Sequence, residues 1–293
     1  MTTQRRAECA LVLLALIWGG SFAVMKNALA DASPVTLLAI RFSLAAVLMI
    51  GLAFAIGLKW CAAGWRWIVL AGIFLGLGYI LQTSGLRYTT AGKSGFLTGL
   101  YIVLLPLLTS VVYQSAPQPR EWAGVLMSAL GMAAMNWDGE NGAAWRWGWG
   151  ETLTVCCSVM FAAHLLALDR AVKQMNAKLA GLLQIAVCAV LLWLVLPVAE
   201  TPRVVWSPGL MGAVIFTAAF ATALPLTLMA WAQQHTTPVR TGLLLSLEMP
   251  FAALAGWWWL QEPIHGMMVL GAALILGGVL LVELKPAGAP EHP

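Results

Sequence analysis

The chain has 293 residues, of which 61% are hydrophobic and only 10% are charged, with a mean hydropathy of +0.85. Because soluble domains carry about a quarter charged residues, this composition excludes a water-soluble fold. The 16 Lys and Arg residues exceed the 12 Asp and Glu residues, but they are scattered singly, so we expect no nucleic-acid binding.

Charged residues delimit ten candidate membrane spans, since a charge at mid-bilayer is costly. In chain order the predicted spans cover residues 8–28, 35–57, 66–85, 92–113, 119–137, 148–168, 179–199, 209–232, 238–260 and 264–284. The first span alternatively resembles a signal peptide, because Arg5 and Arg6 precede an apolar run and Ala28-Leu29-Ala30 resembles a cleavage site. The uncharged run from Cys9 to Met25 is 17 residues, longer than a usual signal-peptide core, so we assign it as span 1.

The distribution of Lys and Arg predicts the orientation of the spans. With the N-terminus inside, ten cations lie on inner segments (Arg5, Arg6, Lys59, Arg66, Arg120, Arg170, Lys173, Lys178, Arg240, Lys285) and six on outer ones (Lys26, Arg41, Arg87, Lys93, Arg146, Arg203). Of the outer six, Lys26, Arg41 and Lys93 sit at or within span ends. By the positive-inside rule we expect a multi-pass protein of the plasma (inner) membrane, with both termini cytoplasmic.

A shift of 147 residues superimposes two parts of the chain without a gap. Thr89, Thr90, Gly95, Leu97, Leu100, Gly124 and Gly131 fall on Thr236, Thr237, Gly242, Leu244, Leu247, Gly271 and Gly278. We interpret this pattern as a duplication of five spans rather than chance similarity between leucine-rich helices. Because five is an odd number, the second copy enters the membrane with the opposite orientation.

The predicted fold is an all-α integral membrane protein of ten transmembrane helices in two inverted five-helix repeats. The repeats are residues 1–137 and 148–285, with an outer linker over 138–147 and a C-terminal tail over 286–293. Such folds place a substrate site near the midplane, between the halves, and expose it alternately to each side. A duplication that left only structural symmetry is the alternative.

Two symmetry-related residues are predicted at the midplane. Glu248 is the only carboxylate deep inside a span, and it lies eight residues, roughly 12 Å of helix, beyond Arg240. Its repeat partner is Tyr101, since 248 − 147 = 101, and Tyr101 lies eight residues beyond Lys93. An ionisable residue at this depth indicates a functional site, and a protonated Glu hydrogen-bonded between helices is the alternative.

Further candidates for the substrate site lie in apolar spans. Trp18 is too deep in span 1 for an interfacial anchor, and Gly19 and Gly20 beside it permit close approach of a helix or ligand. Tyr79, Gln82 and His164 supply polar groups on spans 3 and 6. For each of them, packing or hydrogen bonding between helices is the alternative to lining a cavity.

Two cations are candidates for gating residues, and three prolines are candidates for sites of helix bending. Lys93 and Arg240 occupy the first turns of the equivalent spans 4 and 9, which begin on opposite sides of the membrane. There they act either as topology anchors or as gates that pair with a carboxylate or an anionic substrate.

Pro106, Pro225 and Pro250 interrupt spans 4, 8 and 9. In a transporter such breaks let helices bend between states.

The sequence resembles the drug/metabolite transporter superfamily, in particular its EamA-type ten-span members. Five stretches carry the resemblance: residues 18–22 with Lys26, Pro34 and Arg41; residues 86–91; Tyr101 to Pro106; residues 247–250 with 261–263; and Gly271 to Gly278. The resemblance covers nearly the whole chain and implies two five-helix repeats, a central cavity and no cofactor, in a group whose members include exporters of amino acids and related metabolites. Small multidrug-resistance relatives use a carboxylate in the first helix, and Cys9 to Met25 contains none.

The motifs favour secondary transport over other function classes. The chain has no H-E-x-x-H, G-x-S-x-G or nucleotide-binding loop, and its five cysteines predict neither disulfides nor a metal site. A lone acidic midplane residue and an aromatic lining suit a neutral or aromatic amino acid. The alternative substrate is a phosphate-bearing or nucleotide-sugar metabolite held by Lys93 and Arg240. We expect a monomer in the lipid bilayer.

Overall fold

The computed structural model describes residues 2–89, 91–114, 117–137, 147–260 and 263–283, without the side chains at 91, 92, 256, 259 and 260. Several positions singled out above lie outside these residues: Thr90, Arg146, Gln261, Glu262, Lys285, residues 138–146 of the predicted linker, and the predicted tail over 286–293.

The described helices occupy all ten predicted positions. Spans 1, 2 and 3 are Thr3–Ala28, Pro34–Ala55 and Trp65–Leu86. Span 4 consists of Ala91–Gly99 and Tyr101–Tyr113, and span 5 is Pro119–Met135. Spans 6 and 7 are Trp149–Val172 and Ala177–Ala199. Span 8 consists of Pro208–Ala218, a π-helical turn Ala219–Ala223, and Leu224–Gln233. Span 9 consists of Pro238–Leu245 and Glu248–Leu260, and span 10 is Gly266–Glu283.

Within the described ranges, eight helices are long and apolar enough to cross a membrane. The other two spans are span 5, with 17 residues, and span 9, which is divided. Large apolar side chains remain exposed on the periphery, for example Phe54 at 83% and Val198 at 90%. An exposed apolar periphery is what helices in contact with lipid require.

Two helix ends extend further than predicted, because polar residues continue a helix past its apolar segment. Span 1 begins at Thr3 rather than residue 8, and the Thr2 hydroxyl caps it by accepting a hydrogen bond from the Arg5 backbone N–H at 3.4 Å. Span 6 continues to Val172 rather than 168, through Asp169 and Arg170.

The three predicted interruptions are present, and each lies N-terminal to its proline: within about one turn of Pro225 and Pro250, but six residues before Pro106, which itself lies inside the helix Tyr101–Tyr113. Span 4 breaks at Leu100 and span 9 at Ser246 and Leu247, which are equivalent positions because 100 + 147 = 247. Span 8 forms its π-helical turn just before Pro225. A proline lacks the N–H that would bond the carbonyl four residues earlier, so the helix is disturbed on its N-terminal side.

Spans 5 and 10 demonstrate the inverted symmetry directly. A Cβ atom on Gly124 would lie 2.7 Å from the Gly278 carbonyl oxygen, and one on Gly131 would lie 2.5 Å from that of Gly271. Adding 147 converts Gly124 into Gly271 and Gly131 into Gly278, so the two contacts exchange under the repeat. As the residue number rises along span 5, from 124 to 131, the number of the residue that it contacts on span 10 falls, from 278 to 271. The equivalent helices are therefore antiparallel, and the predicted inverted repeat is confirmed.

The pairing of the other spans follows the same symmetry. Spans 4 and 9 pack against each other, as do spans 2 and 7, so each of these pairs joins two equivalent helices. Span 3 packs on spans 6 and 7, and its equivalent, span 8, packs on spans 1 and 2. The core therefore lies where both repeats meet.

Candidate functional site

A cavity of about 90 Å³ lies between the two repeats. Its lining comes from spans 1, 2, 3 and 4 of the first repeat and spans 6, 8 and 9 of the second. All six side chains predicted for the central site line it: Trp18, Tyr79, Gln82, Tyr101, His164 and Glu248. The fold thus brings the six together, and their contact with a substrate stays a prediction.

Glu248 and Tyr101 begin the second halves of the two broken spans. Each is the first residue of a helix, Glu248–Leu260 or Tyr101–Tyr113. The free N–H groups and positive dipole at a helix N-terminus favour an acidic side chain such as Glu248. Across the described residues, the half-buried Glu248 carboxylate has neither a hydrogen bond nor an ion pair within the protein.

Gly19 sets the position of this carboxylate against span 1. A Cβ atom on Gly19 would lie 2.6 Å from the Glu248 carbonyl oxygen and 2.9 Å from the Ala252 backbone nitrogen. Only glycine permits that approach, so the first repeat reaches the start of the Glu248 helix.

Two aromatic side chains in contact with each other, Tyr79 and Phe161, line the cavity. Tyr79 packs edge to face against Phe42, with ring centroids 5.2 Å apart, and against Phe161, with centroids 5.4 Å apart. Edge-to-face contacts fix the orientation of a ring, because each places a positive edge against a negative face. Spans 2, 3 and 6 thus hold Tyr79 in one orientation beside the cavity.

Trp18 connects span 1 to span 8 through a hydrogen bond. Its indole Nε1–H donates to the Ala221 carbonyl oxygen at 3.0 Å. That carbonyl is four residues before Pro225, which has no N–H to donate to it. Trp18 therefore lines the cavity and also satisfies a backbone group that the proline leaves without a helical partner.

Gln82 and His164 both have partners in the protein. Gln82 Nε2 donates to the Thr98 hydroxyl at 3.1 Å. His164 Nε2 lies 2.8 Å from Gln184 Oε1, and the Gln184 amide donates in turn to the Leu226 carbonyl at 3.0 Å. The hydrogen-bonding alternative considered for these residues is therefore realised alongside their place in the cavity lining.

Arg41 is a cavity residue that the site prediction missed. It is 3% exposed and lies seven residues after Pro34, about 10 Å into span 2. Its Nε donates to the Thr222 hydroxyl at 2.7 Å, and an Nη donates to the Ala221 carbonyl at 2.9 Å. The available signal was its depth: a cation inside an apolar span indicates a functional site by default.

Lys93 and Arg240 do not line the cavity. Each lies near the start of a broken span, and each interacts electrostatically with an acidic side chain: Lys93 with Glu151, and Arg240 with Glu283. The fold therefore separates the two predicted gate residues from the six central ones, and their gating role stays a prediction.

The part of the chain that the structure describes contains no group of three or more His, Cys, Asp or Glu side chains that could hold a metal ion. The polar groups of the cavity are instead one carboxylate, one guanidinium, one imidazole, one amide and several hydroxyls, surrounded by aromatic and aliphatic side chains. Such a lining suits a small organic molecule with few charged groups.

Comparisons with known proteins agree with this architecture. A solved crystal structure at 18% sequence identity superimposes with a TM-score of 0.78 and covers 95% of this chain and 96% of its own, which shows the fold. An uncharacterized transporter of Archaeoglobus fulgidus is 31% identical over 95% of this chain and 86% of its own length. A second uncharacterized transporter of that organism is 34% identical over 42% of this chain and 43% of its own.

A protein-family profile matches both halves separately, over residues 5–137 and 148–284. The family is described as the EamA-like transporter family. These matches and the names of the relatives indicate a multi-pass membrane transporter rather than an enzyme. The chain therefore belongs to the EamA-like transporter family.

Proposed function

We propose that this protein is a secondary transporter that exports neutral or aromatic amino acids by alternating access through the central cavity. The observation that carries the proposal is Glu248, a carboxylate without a protein partner among the described residues, on a cavity shared by both repeats. An ammonium group is the natural counter-charge for such a carboxylate. The aromatic side chains of Tyr79 and Phe161 provide an apolar surface for the rest of the molecule.

The proposal includes the membrane location, orientation and oligomeric state of the transporter. The excess of cations on the segments assigned as inner favours an inner-membrane protein with both termini in the cytoplasm. One chain supplies both repeats and a cavity between them, which supports a monomer in the lipid bilayer as the transporting unit.

Phosphate-bearing metabolites are the weaker candidate. That alternative relied on Lys93 and Arg240, and neither of them lines the cavity. Arg41 does line it, so the alternative keeps one cationic contact. Counter-flow in proteoliposomes against a panel of amino acids and sugar phosphates separates the two substrate classes.

Glu248→Gln tests the central residue, because it keeps size and hydrogen bonding but removes the charge. If the carboxylate binds an ammonium group, L-phenylalanine counter-flow should fall about tenfold or more, since a charge-assisted hydrogen bond is lost. Thermal stability should not fall below that of the wild type, because the variant keeps the size of the side chain and removes an unpaired, half-buried charge.

Glu121→Gln is the matched control for Glu248→Gln and should leave transport unchanged, because glutamine at this position can replace glutamate in the capping box of span 5.

Glu248→Gln should be assayed both by exchange at equal pH and by transport driven by a pH gradient. Equal loss of both modes supports substrate binding, and selective loss of the gradient response supports proton coupling. Unchanged transport in both modes would contradict a functional role for Glu248.

A further inference from the structure

Arg41 carries a buried positive charge that no acidic side chain among the described residues neutralises. Its guanidinium donates to three uncharged groups, the Thr222 hydroxyl, the Ala221 carbonyl and the Met25 sulfur, the last at 3.4 Å, and it also interacts with the uncharged Tyr79 side chain. Its guanidinium carbon also lies 5.3 Å from the centroid of the Tyr79 ring. These contacts hold the guanidinium in place but leave its charge without a counter-ion.

The guanidinium has hydrogen-bonding capacity to spare. A guanidinium carries five N–H groups, and the three donations above use three of them. The planar group matches a carboxylate, which can accept two parallel N–H bonds. The unused donors belong to a side chain that lines the cavity.

Glu248 lines the same cavity, and it too has no ion pair in the described part of the chain. Arg41 is on span 2 of the first repeat, and Glu248 is on span 9 of the second. A buried charge without a partner is unfavourable, and two opposite charges held apart are both compensated by a ligand that carries the complementary charges.

We infer that Arg41 binds the carboxylate of the substrate while Glu248 binds its ammonium group, so that the cavity recognises the zwitterion of an α-amino acid. The inference rests on the proposed function and narrows its substrate class. It predicts that a ligand lacking either charge binds poorly, because one buried charge of the protein then stays uncompensated.

The test compares three ligands of one shape: L-phenylalanine, its amide, which lacks the carboxylate, and 3-phenylpropionate, which lacks the ammonium group. Binding to the purified full-length protein is measured by calorimetry. The wild type should bind L-phenylalanine at least about tenfold more tightly than either analogue, which corresponds to one charge-assisted hydrogen bond.

The variants separate the two charges. Arg41→Gln should abolish the preference for L-phenylalanine over its amide and keep the preference over 3-phenylpropionate. Glu248→Gln should show the reverse pattern. Arg66→Gln is the matched control, since Arg66 is exposed at the start of span 3 and does not line the cavity. It should leave all three affinities unchanged.

Each outcome decides a different point. If Arg41→Gln weakens all three ligands equally, Arg41 only supports the π-helical turn of span 8, and the inference is wrong. If Arg41→Gln does not fold, the wild-type comparison still decides, because equal binding of L-phenylalanine and its amide overturns the inference. If the wild type binds neither L-phenylalanine nor L-leucine, the proposed function itself fails.

Discussion

Two symmetry-related parts of the molecule pack differently. In the half of the membrane assigned as outer, a groove of about 740 Å³ separates span 1 from span 8. Gly20, Val24 and Asn27 line it on the side of span 1, and Gly212 and Phe220 line it on the side of span 8. A Cβ atom on Gly20 or on Gly212 would meet nothing within 4 Å.

The equivalent part of spans 6 and 3, assigned as inner, is closed. A Cβ atom on Gly64 would lie 3.1 Å from Cβ of Gln174 and 3.3 Å from the Ala171 carbonyl oxygen. The Arg170 guanidinium carbon lies 5.0 Å from the centroid of the Trp67 ring. Adding 147 to residue 20 gives Ala167, which is 4% exposed.

The difference shows that the two repeats share a fold but not a conformation. In an inverted repeat, exchanging the two arrangements produces a state that is open on the opposite side. We therefore expect spans 1 and 8 to close in that state as spans 3 and 6 are closed here.

The largest expected effect comes from adding bulk at one pair of equivalent positions. Ala167→Leu overpacks a buried site and should lower the free energy of unfolding by about 2 kcal/mol. Gly20→Leu, at the equivalent position, fills open space and should change it by less than about 1 kcal/mol. Thermal unfolding in detergent measures both, and equal losses would contradict the packing difference.

The second prediction tests whether the groove must close during transport. Gly20→Phe should leave L-phenylalanine binding intact but slow its transport about tenfold, because a bulky side chain opposes closure by a kcal/mol or more. Gly51→Phe is the control, since Gly51 also has open space around its Cβ position but lies on span 2, away from the groove. Equal transport by the two variants would mean that the groove stays open throughout.

The smallest expected effect concerns the bond that joins spans 1 and 8. Trp18→Phe removes the hydrogen bond to the Ala221 carbonyl but leaves the one from Arg41, so the free energy of unfolding should fall by about 1 kcal/mol. Trp206→Phe, at a position that is 61% exposed, should have almost no effect. A loss of several kcal/mol for Trp18→Phe would show that its bond alone holds the two spans together.

Much of the fold was predictable, because the signals are local or periodic. A charge at mid-bilayer is costly and therefore rare, so the gaps between charged residues located all ten spans. The register of 147 placed Glu248 and Tyr101 at equivalent depths, and both line the cavity. The prolines located the interruptions of spans 8 and 9 to within about one turn, because the carbonyl that a proline leaves unbonded lies four residues earlier. The break in span 4 lies further away, six residues before Pro106.

The composition of the site was only partly predictable. Lys93 and Arg240 have the same symmetry signal as Tyr101 and Glu248, yet they lie outside the cavity. Arg41 has no cationic equivalent, since 41 + 147 = 188 and residue 188 is a cysteine. The repeat symmetry therefore did not identify Arg41 as a site residue. Its guanidinium reaches the cavity because span 2 packs beside the π-helical turn of span 8.

The sequence by itself determined that this chain crosses a membrane ten times in two copies of opposite orientation, since transfer free energies and helix lengths act along the chain. Only the tertiary structure decided which side chains share the cavity and which of two equivalent span pairs is open. The first depends on contacts between helices far apart in sequence. The second depends on small packing differences, such as Gly20 against Ala167, between two halves that follow one sequence pattern.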